Sequence, residues 1–175
     1  LSAADSADWT LGDTFTIEAW IYAEALPSYS IVVTQNGGDG FYYAALDSLR
    51  MYFNGDSFGD VNSDAVLVLN TWNHVAFVSG TGYHYINGVR SGSSGSTDLG
   101  NFSGELRAGI WSDGASYPFS GYMQDIRIVN GTAVYSGTTY TVPTAPLTAI
   151  TNTKLLLNMA DGQALDSAAQ NNITL

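Results

Sequence analysis

The chain has 175 residues and a formal net charge of −11, with only five Lys and Arg residues in total. A surface this acidic repels polyphosphate backbones and anionic lipid surfaces, so we expect neither nucleic-acid binding nor membrane association. The lack of cysteine excludes disulfide bonds, thiolate zinc sites and cysteine nucleophiles. Hydrophobic residues make up 45% of the chain, which is ample for the core of one all-β domain.

Period-two alternation of apolar and polar residues, typical of strands, begins at Phe15 and continues to Tyr22. It places Glu18 and Trp20 on one face of this strand and Ile17 on the other. Further strands are predicted at 30–34, 41–46, 49–53, 65–69, 72–79, 83–86, 105–111, 122–129 and 154–158.

Tight turns and loops separate these strands. Asp47-Ser48 and Asn87-Gly88 each lie between two alternating runs and predict two-residue β-hairpins. One helical turn is expected at 131–136, and the two prolines in 140–146 predict a strap across the surface rather than a central strand. Many short strands joined by turns predict an all-β fold, an antiparallel β-sandwich of jelly-roll type.

Four runs in fixed order carry a family resemblance. They are Phe15-Thr-Ile-Glu-Ala-Trp20, Trp72-Asn-His-Val-Ala-Phe77, Tyr85-Ile-Asn-Gly88 and Gly121-Tyr-Met-Gln-Asp-Ile-Arg-Ile128. As a set they resemble laminin-G-like domains of the concanavalin A-like lectin/glucanase superfamily, which implies one jelly-roll domain over 1–175. The stretch from 127 to 158 is most similar to such domains in bacteriophage tail-fibre or virion-surface proteins. That similarity implies an extracellular or virion-surface location and a place in a multimeric assembly.

The C-terminal segment leaves two interpretations open. In this family an element resembling 155–162, followed by Asp166-Ser167, usually opens a domain, whereas here it follows the other strands. Residues 148–175 therefore either complete this sandwich with a last strand or begin a following repeat.

Catalysis is not expected. Glycoside hydrolases need two carboxylates that flank the scissile bond, and the three glutamates (Glu18, Glu24 and Glu105) form no acidic strand motif. Glu18 also recurs in the non-catalytic relatives that the chain resembles, which implies a scaffold role. His74 and His84 lie in separate predicted strands without a cysteine partner, so we interpret them as structural rather than as zinc ligands.

Aromatic residues near the predicted loops point to carbohydrate binding. Trp111 and Tyr117 flank a short polar loop that begins at Ser112, and together they offer a plate for a sugar ring and groups for its hydroxyls. Tyr42 and Tyr43 are adjacent in a strand, so one of them must face outward. The predicted ligand-binding residues are Trp111, Tyr117, Ser112 and Tyr43; the other tryptophans, Trp9, Trp20 and Trp72, are interpreted as core or edge packing.

Calcium is a candidate cofactor. The resemblance implies a cation at the rim of the sandwich, held by oxygens from the loops that carry Asn36, Asp39 and Asp113. The alternative is that these residues only shape turns, as Asp and Asn commonly do.

These observations predict a non-catalytic recognition module that binds cell-surface carbohydrate. The alternative is a structural decoration or spacer domain of a capsid or tail fibre, in which the same aromatic residues contact a neighbouring virion subunit and bind no sugar.

Overall fold

The computed structural model describes residues 1–36, 40–55, 61–80, 82–92, 99 and 101–159, together with the backbone of 173–174. A short 3₁₀ helix spans Ala7–Trp9. The strands in chain order are β1 (Ser2–Ala3), β2 (Phe15–Ala25), β3 (Ser30–Gln35), β4 (Phe41–Ala45), β5 (Arg50–Gly55), β6 (Val61–Val66), β7 (Trp72–Val78), β8 (Tyr83–Ile86), β9 (Val89–Ser91), β10 (Leu106–Ala108), β11 (Ser120–Asn130), β12 (Thr153–Leu157) and β13 (Ile173–Thr174).

The strands form two antiparallel sheets, which confirms the predicted sandwich. The seven-stranded sheet has the order β13-β1-β10-β3-β4-β5-β6, and the six-stranded sheet has the order β12-β11-β2-β7-β8-β9. Their inner faces meet in one core, where the rings of Phe53 and Phe77 stack across the two sheets at 4.0 Å between centroids. Alternation along β2 explains the burial, because Ile17, Ala19 and Ile21 all point into this core.

Two local predictions were wrong. Residues 131–136 form no helix; this segment instead lies over the six-stranded sheet, where the Thr16 hydroxyl donates to the Thr132 carbonyl at 3.0 Å and accepts the Val134 N–H at 3.0 Å. The strand expected at 65–69 is β6, which starts at Val61. Its inward position Ser63 is polar and accepts the Met51 N–H, so the alternation of apolar residues was hidden.

The two described strands of the C-terminal segment pair with strands of this sandwich. β12 pairs with β11 in the six-stranded sheet, with Leu155 opposite Ile128. β13 pairs with β1 at the edge of the seven-stranded sheet.

The proline-containing segment 140–148, called the strap below, crosses the outer face of the six-stranded sheet. At its start the Tyr140 N–H donates to the Gly88 carbonyl, and the Tyr140 ring stacks on Tyr135 at 3.7 Å. At its end Arg127 donates to the Thr148 carbonyl at 2.8 Å. The strap therefore covers part of a face that alternation alone would leave in solvent.

Candidate functional site

Aromatic side chains from two strands and two loops meet on the outer face of the seven-stranded sheet. Tyr42 on β4 is opposite Asn54 on β5, and Tyr52 lies two residues before Asn54 on the same face. The loop before β3 and the loop 109–119 add the remaining rings. We call this surface the loop patch; it consists of Tyr29, Tyr42, Tyr52, Asn54, Trp111 and Tyr117.

The rings of the loop patch contact one another edge to face. Trp111 lies 4.9 Å from Tyr42 and 5.7 Å from Tyr117, and Tyr29 lies 5.6 Å from Tyr117, between ring centroids. Tyr29 also lies 5.7 Å from Tyr52. The cleft in the loop patch has a volume of about 280 Å³, close to the lower end of the usual volume of small-molecule sites, and it is lined by Tyr29, Tyr42, Asn54, Trp111 and Tyr117.

Backbone hydrogen bonds hold the loop that carries Trp111 and Tyr117. The Trp111 N–H donates to the Ser116 carbonyl at 3.0 Å, which closes the loop. The Ile31 N–H donates to the Tyr117 carbonyl at 3.2 Å, which attaches the loop to β3. Tyr117 has a φ of 51° and remains 42% exposed, so its ring is presented to solvent by an uncommon backbone conformation.

Asp113 organises this loop from within. Its carboxylate accepts the N–H groups of Ala115 and Ser116, both at 2.8 Å, and the Ser116 hydroxyl at 2.6 Å. The hydrogen bond from the Ser116 side chain, followed by those from the two N–H groups, lowers the pKa of Asp113. Its oxygens thus serve the turn, as the alternative interpretation expected.

Two predicted binding residues lie elsewhere. Tyr43 is fully buried in the core, where its ring stacks on His84, and the tyrosine that faces outward is Tyr42. The alternation was right, but the sequence did not show which parity of β4 faces the core. Ser112 is partly exposed beside Trp111 and does not line the cleft.

The structure places the predicted calcium ligands Asn36 and Asp113 on two different loops. Asn36 follows β3 at the end where Gln35 pairs with Leu106, whereas the loop that carries Asp113 bonds to Ile31 and Val32 near the other end. Asp39 lies outside the described residues. Among the residues that the structure does describe, no group of three or more His, Asp or Glu could hold a metal.

The carboxylate of Glu18 is fully buried, and both of its oxygens contact neighbouring side chains. Arg127 contacts Oε1, while the Tyr135 hydroxyl donates to Oε2 at 2.7 Å and His74 Nε2 lies 3.3 Å from the same oxygen. Burial alone would raise the pKa of Glu18, but the contact with His74 and the charge of Arg127 hold it below its ordinary value. This arrangement fits the scaffold role and leaves no proton for general-acid chemistry.

The tryptophans interpreted as packing residues differ among themselves. Trp9 is buried in the core, but Trp20 and Trp72 lie on the outer face of the six-stranded sheet, and Trp72 is 39% exposed. The alternation of β2 predicts that Trp20 faces away from the core. Its interpretation as a packing residue followed instead from the general tendency of tryptophan to be buried.

None of the helices in the described part of the chain is long and apolar enough to cross a membrane.

Comparison with known proteins places this geometry in a family. The family model Laminin_G_3, described as the concanavalin A-like lectin/glucanases superfamily, matches residues 1–149. No curated protein matches the chain.

Solved structures share the fold at low identity. A candidate carbohydrate-binding protein from Bacteroides ovatus is 19% identical with a TM-score of 0.67, and the match covers 98% of this chain and 54% of that protein. Domain 4 of AbnA, an extracellular GH43 arabinanase from Geobacillus stearothermophilus solved with arabinotriose, is 19% identical with a TM-score of 0.51; the match covers 73% of this chain and 65% of that one. The chain therefore spans about half of the first protein and less than two thirds of the second.

Proposed function

The chain belongs to the concanavalin A-like lectin/glucanase superfamily, and within it we propose that this domain is a non-catalytic module that binds carbohydrate at the loop patch. The observation that carries the proposal is the convergence of Tyr29, Tyr42, Trp111 and Tyr117 around one small cleft.

The chemistry of the cleft suits a sugar. A pyranose or furanose ring presents C–H groups that pack on aromatic faces, and its hydroxyls need fixed hydrogen-bonding partners at the rim. Asn54 lines the cleft with an amide that both donates and accepts. Because the loop is closed by its own hydrogen bonds, Trp111 and Tyr117 are ordered before the ligand arrives, which reduces the entropy lost on binding.

Two similar structures support the ligand class. The Bacteroides ovatus protein is named as a candidate carbohydrate-binding protein, and the arabinanase domain was solved with arabinotriose. The engagement of Glu18 by Arg127 and Tyr135 supports a non-catalytic role.

We extend the proposal to the setting of the domain. We propose an extracellular or virion-surface location on the sequence motifs of 127–158 alone, which we interpreted as resembling phage tail-fibre and virion-surface domains. There a cell-surface glycan would be the ligand, and repeated copies would raise the avidity of a weak single site. The rival role, a spacer domain without a sugar ligand, would place Trp111 and Tyr117 against a neighbouring virion subunit.

A labelled streptavidin tetramer of the domain, applied to a glycan array, tests the proposal. We expect binding to a defined set of glycans and its loss in the Trp111→Ala variant. Parallel arrays with calcium and with EDTA test calcium assistance, which stays part of the proposal. No bound glycan for the tetramer under either condition would overturn the proposal and favour the spacer role.

A further inference from the structure

A second aromatic surface lies on the opposite outer face of the molecule. Across the six-stranded sheet, Tyr22 on β2 is directly opposite Tyr122 on β11 and Trp72 on β7. Its ring lies 5.9 Å from Tyr122 and 5.7 Å from Trp72, between centroids. Because neighbouring strands are about 4.8 Å apart, the row extends about 10 Å, the length scale of a disaccharide.

The strap forms a cleft that begins at Trp72, the last residue of this row; Tyr22 and Tyr122 lie beside the cleft and do not line it. Trp20, one row further along β2, forms the floor with Trp72, and 142–146 of the strap form the facing wall. The enclosed volume is about 410 Å³, within the range of small-molecule sites and larger than the cleft of the loop patch. We call this second site, the cleft together with the aromatic row beside it, the strap cleft.

A β-bulge brings polar groups to the strap cleft. The register between β11 and β2 shifts between Gln124 and Arg127, and Asp125 at this bulge has a φ of 53°. Gln124 and Asp125 both line the cleft as a result. Bulges commonly re-aim side chains beside binding sites, and a non-glycine residue with positive φ is uncommon enough to suggest a local role.

The charge of the strap cleft favours a neutral ligand. Its lining contains no Lys or Arg, so an anionic group would find no counter-charge there. Its one acid, Asp125, is almost completely buried and accepts the Leu147 N–H. Burial raises the pKa of Asp125, an effect that the hydrogen bond from Leu147 opposes, so the carboxyl is poorly suited to attract a cation.

A second copy of the chain is a less suitable occupant. Each copy carries a net charge of −11, and like-charged molecules repel one another. Adjacent rings in the row are inclined by 65° and 66°, so the surface is corrugated rather than flat. The indole ring of Trp72, the two tyrosine rings beside it and the amide of Gln124 suit the C–H faces and hydroxyls of a sugar chain.

We propose that the strap cleft is a second binding site for a neutral oligosaccharide, which makes one copy of this domain bivalent. The inference rests on the proposed function for its ligand class, but it concerns different residues on the opposite sheet. A bivalent monomer can connect two polysaccharide chains without oligomerising.

Affinity electrophoresis in gels containing soluble arabinan, xylan, glucomannan or dextran tests the two clefts separately. The variants are Trp72→Ala and Tyr122→Ala in the strap cleft, and Trp111→Ala in the loop patch. Tyr122 is 62% exposed, so its truncation leaves the core intact. Val66→Ala is the matched control, because Val66 is an apolar residue that is 50% exposed on β6 and lines neither cleft.

For at least one polysaccharide, we expect the affinity of each strap-cleft variant to be about tenfold lower than that of the wild type. This is a typical cost of removing a central aromatic contact. The effect should add to that of Trp111→Ala, whereas Val66→Ala should match the wild type. The wild-type monomer should also cross-link that polysaccharide, seen as a rise in scattered light, and neither single-cleft variant should do so.

Different failures separate the two proposals. If both strap-cleft variants are retarded as strongly as the wild type in every gel, the proposal of a second site is overturned. Complete loss of retardation in Trp111→Ala would also overturn it and leave the loop patch as the binding site. Loss in the strap-cleft variants with none in Trp111→Ala would overturn the loop-patch proposal and support this one. A dimer in sedimentation velocity that Tyr122→Ala dissociates would show an interface between copies and overturn the second site.

Discussion

The side chains of Glu18 and Arg127 form a buried ion pair between neighbouring strands, with Arg127 Nε 2.8 Å and Nη2 2.6 Å from Oε1 of Glu18. Both residues point away from the core, yet Glu18 is fully buried because the strap and the segment before it cover this part of the sheet. Arg127 also donates to the Thr148 carbonyl. The ion pair therefore holds the end of the strap against the sheet, and the strap forms one wall of the strap cleft.

Breaking this pair should cost much stability. In Glu18→Gln the guanidinium of Arg127 stays buried without a counter-charge, so we expect a loss of about 3–5 kcal/mol in the free energy of unfolding. Urea denaturation measures it, with the exposed Glu24→Gln as control. The double variant Glu18→Gln/Arg127→Gln should lose less than the sum of its two single variants; strictly additive losses would contradict a coupled pair.

Stability should fall as the pH drops from about 6.5 towards 4 because of His84. Burial lowers the pKa of His84 to about 4, although the hydrogen bond between Nε2 and the Val61 carbonyl opposes this shift. Between these pH values the unfolded chain binds a proton that the folded one does not, so folding loses up to about 3 kcal/mol on acidification.

The pH effect can be checked in two ways. NMR titration of the His84 ring protons should give the low pKa directly, and urea denaturation across this range should give the slope. The His84→Gln variant should have a flatter profile. A His84 ring that titrates near 6.5, or equal slopes in both proteins, would contradict this explanation.

Asp113 should tolerate an amide but not truncation. In Asp113→Asn the side-chain oxygen still accepts the N–H groups of Ala115 and Ser116, so carbohydrate binding should change little. In Asp113→Ala the loop loses these bonds, and affinity should fall roughly threefold to tenfold because Trp111 and Tyr117 must be ordered on binding. Affinity electrophoresis measures both variants. A large loss in Asp113→Asn that tracks the loss caused by EDTA would instead indicate a calcium ligand.

Gly88 should be indispensable to the position of the strap. It has a φ of 81°, and a Cβ there would lie 2.5 Å from the Tyr140 carbonyl oxygen. Gly88→Ala should therefore destabilise the fold by about 1 kcal/mol or more and displace the strap. Gly12→Ala is the control, since nothing lies within 4 Å of its Cβ position. Thermal unfolding compares the two, and equal melting temperatures would contradict the expected clash.

The sequence predicted the fold better than the site, for physical reasons that individual residues illustrate. Alternation shows that adjacent residues of a strand face opposite ways. It therefore predicted that one of Tyr42 and Tyr43 faces outward, but it did not show which of the two faces the core. It placed Glu18 and Trp20 on one face, yet the full burial of the first and the partial burial of the second depend on where the strap crosses the sheet. That path is a tertiary property, and no local pattern encodes it.

The loop patch shows the same limit of prediction from local sequence patterns. Trp111 and Tyr117 were predicted together because one short loop carries both. Tyr29 and Tyr52 join them only through the pairing of strands that are distant in sequence. Asn36 and Asp113 were expected to share an ion; this stays a prediction, because the two residues belong to different loops and no local pattern specifies how loops approach each other.

The most direct test of carbohydrate binding at the loop patch is the dissociation constant of wild type and Trp111→Ala for the polysaccharide that retards the wild type most. Affinity electrophoresis over a range of polysaccharide concentrations gives both values, with Val66→Ala as control. We predict an increase of about tenfold or more for Trp111→Ala and none for the control. Equal dissociation constants for all three proteins would contradict carbohydrate binding at the loop patch.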